Sequence, residues 1–406
     1  MSWANTGSQA GVSLLHIHIR KAAGTSVRIL LANQFPAGRI LLNAHSASGP
    51  TGPGAAEFVT GHVGFDYAHR FTASPAIFTV LREPVARALS AYRFYCNNDE
   101  EFFRAVRKDW SDSEYQARRR FTERASQLDM LQFLREEEGL ARAWLDNMQT
   151  RQLAGGAYLE VRDDDPTLLA TALANLRRCL LAGLFERMDD TLWLLGHLMR
   201  WGELGPLHHL NRTFQLNDKA IDPRCIELLR SWNTLDLHLY QEAADLLQTK
   251  LHAARLEPDN SPDLALLPDA ADFTPEMPIR GYGWHERELY QGRWLCWSAA
   301  AAATLYLRLT KRRPTRFRCF LLSVVDQAAL DALQVSFNSV RLALEKQWTG
   351  DGWLLQSAIP NRVGVTVPQL AQITFDCGAV RSPSRIDATS TEWRRLGVAV
   401  GWVRID

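Results

Sequence analysis

In the stretch Arg20-Lys21-Ala22-Ala23-Gly24-Thr25-Ser26, a lysine, a glycine and two hydroxyls stand just before a segment of helical spacing that begins at Val27. Such a junction suits an anion. The first N–H groups of a helix have no partner inside it, its dipole presents a positive end, glycine admits close backbone approach and lysine adds a full charge. The order differs from a Walker A loop, where the lysine follows a glycine and precedes Ser or Thr. The same residues also fit a plain strand–turn–helix with a Ser/Thr cap. A second stretch, Arg82-Glu83-Pro84, ends an apolar run and opens another segment of helical spacing, with Pro84 at the first helical position and Ser90 about two turns along. The Arg82 fork suits phosphate oxygens, or with Glu83 simply serves the helix start. Between the two lies Thr60-Gly61-His62-Val63-Gly64. Its imidazole has the ordinary pKa of a general base, although a lone histidine is more often packed or solvated.

These residues need strands and helices to hold them. Apolar runs at 13–19 and 76–81 precede helical spacing at 27–34 and 85–94, the rhythm of strand-then-helix units around a parallel sheet. Segments 126–134, 167–176, 191–200 and 223–249 read as further helices. Five of the seventeen prolines fall between Pro258 and Pro278, where they deny helix and sheet their backbone donors. A linker over 258–278 is expected there, dividing an α/β unit over 1–257 from a second unit over 279–406. Beyond it, partial period-two alternation at 304–309, 317–325, 333–344 and 396–405 predicts a β-sandwich.

Composition narrows the classes. The 406 residues exceed what one core usually serves, and a hydrophobic fraction of 46% with 22% charged residues is that of a globular protein. Forty-six basic against forty-five acidic side chains leave a net charge of +1, so no global field draws the chain to nucleic acid or an anionic membrane. Six scattered cysteines form no C-x-x-C pair, and reduced thiols are expected. No run of about 18 apolar residues occurs, and 1–9 lacks the basic-then-apolar pattern of a signal peptide, so a cytoplasmic protein without an integral membrane segment is expected. The composition leaves the oligomeric state open.

The segment His18-Ile19-Arg20-Lys21-Ala22-Ala23-Gly24-Thr25-Ser26 resembles the H-I-P-K-T-A-G-T-S loop of the carbohydrate sulfotransferases, enzymes that use 3′-phosphoadenosine 5′-phosphosulfate (PAPS). Arg20 stands where that family has Pro and Ala22 where it has Thr. Leu81-Arg82-Glu83-Pro84-Val85-Ala86-Arg87-Ala88-Leu89-Ser90-Ala91-Tyr92 is similar to the family's L-R-D-P-V-x-R-x-x-S-x-Y. Gly61-His62-Val63-Gly64-Phe65 is similar to the G-H-V-x-F segment of the uronyl 2-O-sulfotransferases. The resemblance implies a P-loop-like parallel sheet flanked by helices, the sulfotransferase fold. By it, Arg20, Lys21, Ala23, Gly24, Thr25 and Ser26 hold the 5′-phosphosulfate. Arg82 and Ser90, helped by Arg87, hold the 3′-phosphate, Lys21 also stabilises the leaving phosphate, and His62 is the catalytic base. The product 3′-phosphoadenosine 5′-phosphate (PAP) would share the site, without a metal. Gln149 and Arg151, in a stretch like N-x-Q-T-R-x-L-x-G, are acceptor or cofactor candidates, and Arg212, in Leu210-Asn211-Arg212-Thr213, is an acceptor candidate. Gln149 and Arg151 also fit a polar helix end closed by Gly155 and Gly156. His16 and His18 share a strand face and are expected to pack, and Arg118-Arg119-Arg120 to form a solvated helix face.

Seven of the thirteen tryptophans follow the proline-rich segment, as sugar-stacking platforms or, for most of them, core filling. Gly283-Trp284-His285-Glu286 and 394–400 look like a β-sandwich accessory domain of bacterial glycan-modifying enzymes, which points the acceptor toward polysaccharide, lipopolysaccharide or glycolipid. Two other readings remain open. One is a nucleotide-dependent kinase, which should bring a Mg²⁺-binding carboxylate. The other is a catalytically inactive glycan-binding protein.

Overall fold

The structure, a computed structural model, describes residues 13–45, 56–98, 100–107, 112–155, 165–205, 221–257, 261–310, 314–360, 368–387 and 389–406. Its N-terminal part is built on five parallel strands: β1 (Leu14–Ile17), β2 (Ile40–His45), β3 (Phe58–His62), β4 (Ala76–Leu81) and β5 (Leu181–Leu184). They lie in the order β2-β3-β1-β4-β5. All four residues of β1 are buried, as a strand covered on both faces requires.

Helices α1 (Gly24–Ala32) and α2 (Pro84–Cys96) follow β1 and β4 directly. A helical group then covers one end: α3 (Glu100–Val106), α4 (Asp112–Gln127), α5 (Met130–Glu136), α6 (Glu138–Leu145) and α7 (Met148–Ala154). The remaining helices are α8 (Leu168–Arg178), α9 (Met188–Leu198), α10 (Pro223–Trp232) and α11 (Thr234–Arg255). One core lies around the sheet, and a second, containing Tyr95, Phe121, Phe133 and Trp144, lies among the helices beside α2.

The chain's direction of travel decides where a ligand fits. From β1 it runs through α1 to the edge at β2, whereas after β4 it continues toward β5 on the other side. Adjacent strands whose connections leave in opposite directions open a crevice at their carboxyl ends. That crevice lies between β1 and β4.

The C-terminal part is mainly β, with two short helices (Gln327–Ala332 and Pro383–Ile386) and strands β6 (Gly281–Tyr282), β7 (Glu288–Tyr290), β8 (Arg293–Trp297), β9 (Ala302–Leu309), β10 (Arg316–Val324), β11 (Gln334–Phe337), β12 (Val340–Arg341), β13 (Glu345–Trp348), β14 (Trp353–Ala358), β15 (Gln369–Asp376) and β16 (Val398–Ile405). They form a six-stranded sheet, β13-β14-β10-β16-β8-β7, and a five-stranded one, β12-β11-β15-β9-β6, around a separate core that includes Phe317, Phe337, Phe375 and Val403.

Three local expectations change. The segment 126–134 is broken at Asp129, whose side chain accepts from the Gln132 N–H while the Gln132 side chain accepts from the Asp129 N–H, a capping box that starts α5. The segment 223–249 is broken at Asn233, between α10 and α11. The segment 333–344 is a hairpin turning at Asn338 and Ser339, both at positive φ (46° and 66°). Of the proline-rich segment, 258–260 lies outside the described residues. Of the rest, the Asp263 N–H donates to the Arg200 carbonyl at 2.9 Å and Leu266 packs on the core around the parallel sheet, whereas Phe273 is buried in the β core and exchanges backbone hydrogen bonds with Val403.

The two parts meet at the C-terminal end of α1. Arg287 donates to the Ala32 and Phe35 carbonyls at 3.0 and 2.8 Å, and to those of Pro275, Glu276 and Met277 at 3.0, 3.1 and 3.0 Å. The Ile279 N–H donates to the Asn33 carbonyl at 2.7 Å. Asn33 Nδ2 donates to the His285 carbonyl at 2.9 Å, and Arg280 to Gln34 Oε1 at 3.0 Å. The β unit thus satisfies carbonyls that a helix end leaves orphaned.

Candidate active site

The loop after β1 is held in an uncommon conformation. Lys21 and Ala23 have φ of 69° and 62°, the left-handed region that non-glycine residues enter at a cost of about 1–2 kcal/mol each. From this turn α1 starts at Gly24 with no side-chain cap and no acidic residue in its first turn. Among the described residues no N-cap side chain or first-turn carboxylate offsets its positive end, and the Ser/Thr-capped alternative is not what the chain adopts. α2 differs: the Glu83 carboxylate accepts from the Ala86 N–H at 2.6 Å.

Arg82 reaches across the β1/β4 crevice and donates from Nη1 to the Lys21 carbonyl at 3.1 Å. Its guanidinium lies 4.4 Å from the Phe185 ring centre, and Lys21 Nζ lies 4.1 Å from that of Phe94. Burial, reinforced by Arg82 and Arg118, pushes the Lys21 ammonium down to about 8. Burial also lowers Arg82. Cations held together and partly desolvated are the environment an incoming anion relieves.

The imidazole of His62, at the end of β3, is fixed by a 2.9 Å hydrogen bond from Nδ1 to the His18 carbonyl. A carbonyl only accepts, so Nδ1 carries a proton, and in the neutral ring Nε2 is the atom that bears the lone pair. That is the tautomer a base needs. Its ring lies 4.3 Å from the His18 ring, which occupies the space beside Gly24: a Cβ there would fall 1.8 Å from His18 Cδ2. The absent side chain at Gly24 therefore makes room for a histidine. Gly61 answers a backbone approach, since a Cβ would lie 1.9 Å from the Ala44 carbonyl oxygen, where the β2/β3 register shifts. His16 packs as expected, with Nδ1 2.9 Å from Thr60 Oγ1, and burial, then Arg28, drives it down to about 3.

The other expected residues divide. Thr25 and Ser90 are half-buried, whereas Ser26 is buried. Arg20 turns to α4, pairing with Glu114 at 3.3 Å near the Trp144 ring. Ala22 is 1% exposed, so the family's threonine would bring a hydroxyl into a buried position here. Arg87 has no exposed surface and donates to the Leu145 carbonyl at 2.7 Å. Gln149 is equally buried: Oε1 accepts from the Arg82 N–H and Nε2 donates to the Arg82 carbonyl, both at 2.9 Å. Arg151 is buried, donating to the carbonyls of Arg142, Ala143 and Asp146. Arg212 lies outside the described residues.

Sequence reasoning missed two contributors. Arg118 is not on a solvated face but 3% exposed, among the rings of Tyr95, Phe94, Trp144 and Phe102. Its charge lowers Lys21. Gln152 donates to the His18 carbonyl at 3.1 Å and the Val63 carbonyl at 2.9 Å, bracing the backbone on both sides of the imidazole. Helical spacing of Arg118 with Phe121 and Ala125 marks its buried face, whereas nothing local to Gln152 announces its partners.

No family model matches the chain. Among curated proteins, the chain is 32% identical over 118 residues to heparan-sulfate 6-O-sulfotransferase 2 of Danio rerio, a match that covers 27% of this chain and 25% of the relative. The chain thus spans about a quarter of the length of that relative. Over that stretch, it is similar to a sulfotransferase that acts on a carbohydrate.

Proposed function

We propose that this chain is a PAPS-dependent sulfotransferase acting on a hydroxyl of a carbohydrate. One observation carries the reading: the uncapped start of α1 and the Arg82 guanidinium meet across one crevice, joined by the Arg82–Lys21 hydrogen bond. Two cationic strand ends facing one space suit a ligand with two separated phosphates, and the similarity to a carbohydrate sulfotransferase supports that class of ligand.

PAPS supplies the sulfuryl group and a phosphate that leaves with added negative charge. The α1 N–H groups, Lys21, Thr25 and Ser26 would hold the 5′ end and stabilise that charge; Arg82 and Ser90 would hold the 3′-phosphate. Arg87, Gln149 and Arg151 act through the backbone they brace, and Arg20 through its hold on α4. His62 accepts the acceptor hydroxyl's proton at Nε2, with Nδ1 anchored on His18. The acceptor class we infer is a polysaccharide, lipopolysaccharide or glycolipid, modified in the cytoplasm of a bacterium, with 279–406 as an accessory unit.

A radiolabelled transfer assay alongside PAP calorimetry tests these roles. Lys21→Ala should lower turnover by at least about a hundredfold, more than it weakens PAP binding. His62→Ala should abolish transfer, also by about a hundredfold or more, while PAP still binds. Transfer by Lys21→Ala within a few-fold of the parent, or loss of PAP binding in His62→Ala, would remove the assigned role.

A further inference from the structure

The six-stranded sheet carries an aromatic row on the face turned away from its core. On β10, Phe317, Cys319 and Leu321 point into the sandwich, so the intervening Phe320 points out. Register places Leu354 of β14 and Trp402 of β16 on either side of Phe320. The pairing of Ala399 with Trp297 and of Val400 with Cys296, continued two residues, brings Trp294 of β8 level with Trp402. Aromatic residues thus occupy three strands, β10, β16 and β8, with Leu354 of β14 beside them. Outward faces of sandwich sheets are ordinarily polar, which sets this row apart.

These residues floor a groove of about 530 Å³, within the range of small-ligand sites. The Phe320 and Trp402 rings are nearly parallel, 12° apart with centres 6.0 Å apart. Arg293 and Asp351 stand at the rim as a 2.7 Å ion pair. Arg404 lies over Trp402 at 4.9 Å and pairs with Asp272 at 3.4 Å. Each of these cations has its carboxylate and Glu276 adds one more, so the rim offers donors and acceptors with a small excess of negative charge. Glu276 completes one wall, and its carbonyl accepts from the Ala37 N–H and from Arg287, which ties the groove to the end of α1.

We infer that this groove binds a neutral oligosaccharide segment. A pyranose ring has an apolar C–H face that packs on aromatic surface such as the half-buried Trp294 and Trp402 offer above the buried Phe320, while its hydroxyl edge needs donors and acceptors of both signs beside it. A polyanion would meet Asp351, Glu276 and Asp272, and a purely apolar partner would strip water from the ion pairs without replacing it. The inference deepens the proposed function, naming where the carbohydrate is held apart from the crevice. It rests on that reading only for the biological source of the sugar.

The test uses the labelled full chain on an array of neutral and anionic oligosaccharides. The parent should retain neutral oligosaccharides, and Trp402→Ala and Trp294→Ala should each lose at least about tenfold in affinity, with Trp402→Phe retaining most of it. Unchanged melting temperature and PAP binding in both alanine variants would show that the fold and crevice are intact. Retention of no neutral oligosaccharide, retention of anionic ones alone, or equal retention by parent and alanine variants would overturn the inference. So would a parent dimer, seen by light scattering, that Trp402→Ala splits, because the groove would then be a contact between copies. Lys21→Ala should leave retention unchanged. Sugar retention by a chain that fails to bind PAP would defeat the proposed donor and leave the groove standing.

Discussion

Lys21 sits where burial and two guanidinium neighbours oppose its own charge. Its folded pKa of about 8 lies below the ordinary 10.5, so the ligand-free protein binds fewer protons than the unfolded chain between those values. The penalty of holding the ammonium is present below about pH 8 and fades above it, so the group's contribution makes stability rise with pH across that window. An anion against Nζ reverses the preference and restores the proton. PAP affinity should therefore fall as pH rises above about 8, with proton uptake seen by calorimetry in buffers of different ionisation enthalpy. Lys21→Arg should flatten the profile because a guanidinium keeps its charge. A pH-independent affinity in the parent would show that Lys21 does not face the ligand. Lysine, arginine and imidazole were legible as chemistry because each stands at a strand end next to residues that mark the junction. Arg118 was not: in a run of three arginines, spacing places only one inward, and Arg119 and Arg120 do pair at the surface with Glu100 and Glu137.

At the level of elements, α7 and α11 fasten each other's first turns. Asn147 Oδ1 accepts from the Leu235 and Asp236 N–H groups at 3.0 and 3.1 Å. Asp236 returns the favour, accepting from the Gln149 N–H at 3.2 Å and from the Thr150 N–H and Oγ1 at 2.7 Å each. This reciprocal capping holds Gln149 against Arg82, so the motif-like stretch 146–155 is explained by construction of the fold. Asp236→Ala should leave three buried donors unmet and lower stability by at least about 2 kcal/mol, read as a shift in urea midpoint. A midpoint unchanged from the parent would mean that water replaces the carboxylate. The alternation of strand and helix, and the order in which β1 and β4 meet their helices, followed from local spacing. The breaks at Asp129 and Asn233 were harder to read because both lie in long helical patterns, and single polar side chains end them.

Across the whole molecule, the β unit is joined to the helix that begins at the loop after β1. Arg287 serves five carbonyls, two of them at the end of α1. Burial lowers it to about 10, and Arg280 to about 9. Arg287→Ala should destabilise the protein by about 2 kcal/mol or more and speed amide exchange in α1, weakening PAP binding several-fold. Arg287→Lys should not rescue, since a point charge cannot span the same carbonyls. Slow exchange in α1 of the alanine variant would show that the β unit only rests against it. None of this was legible in the sequence, because Arg287 and Ala32 lie 255 residues apart and meet only in the folded chain. It bears on any attempt to graft a different β unit onto this α/β unit. A chimera spliced in the proline-rich stretch would carry the loop after β1 intact yet leave the far end of its helix without an anchor. A working graft must bring the Arg280 and Arg287 fasteners, matched to Asn33 and Gln34, across the seam.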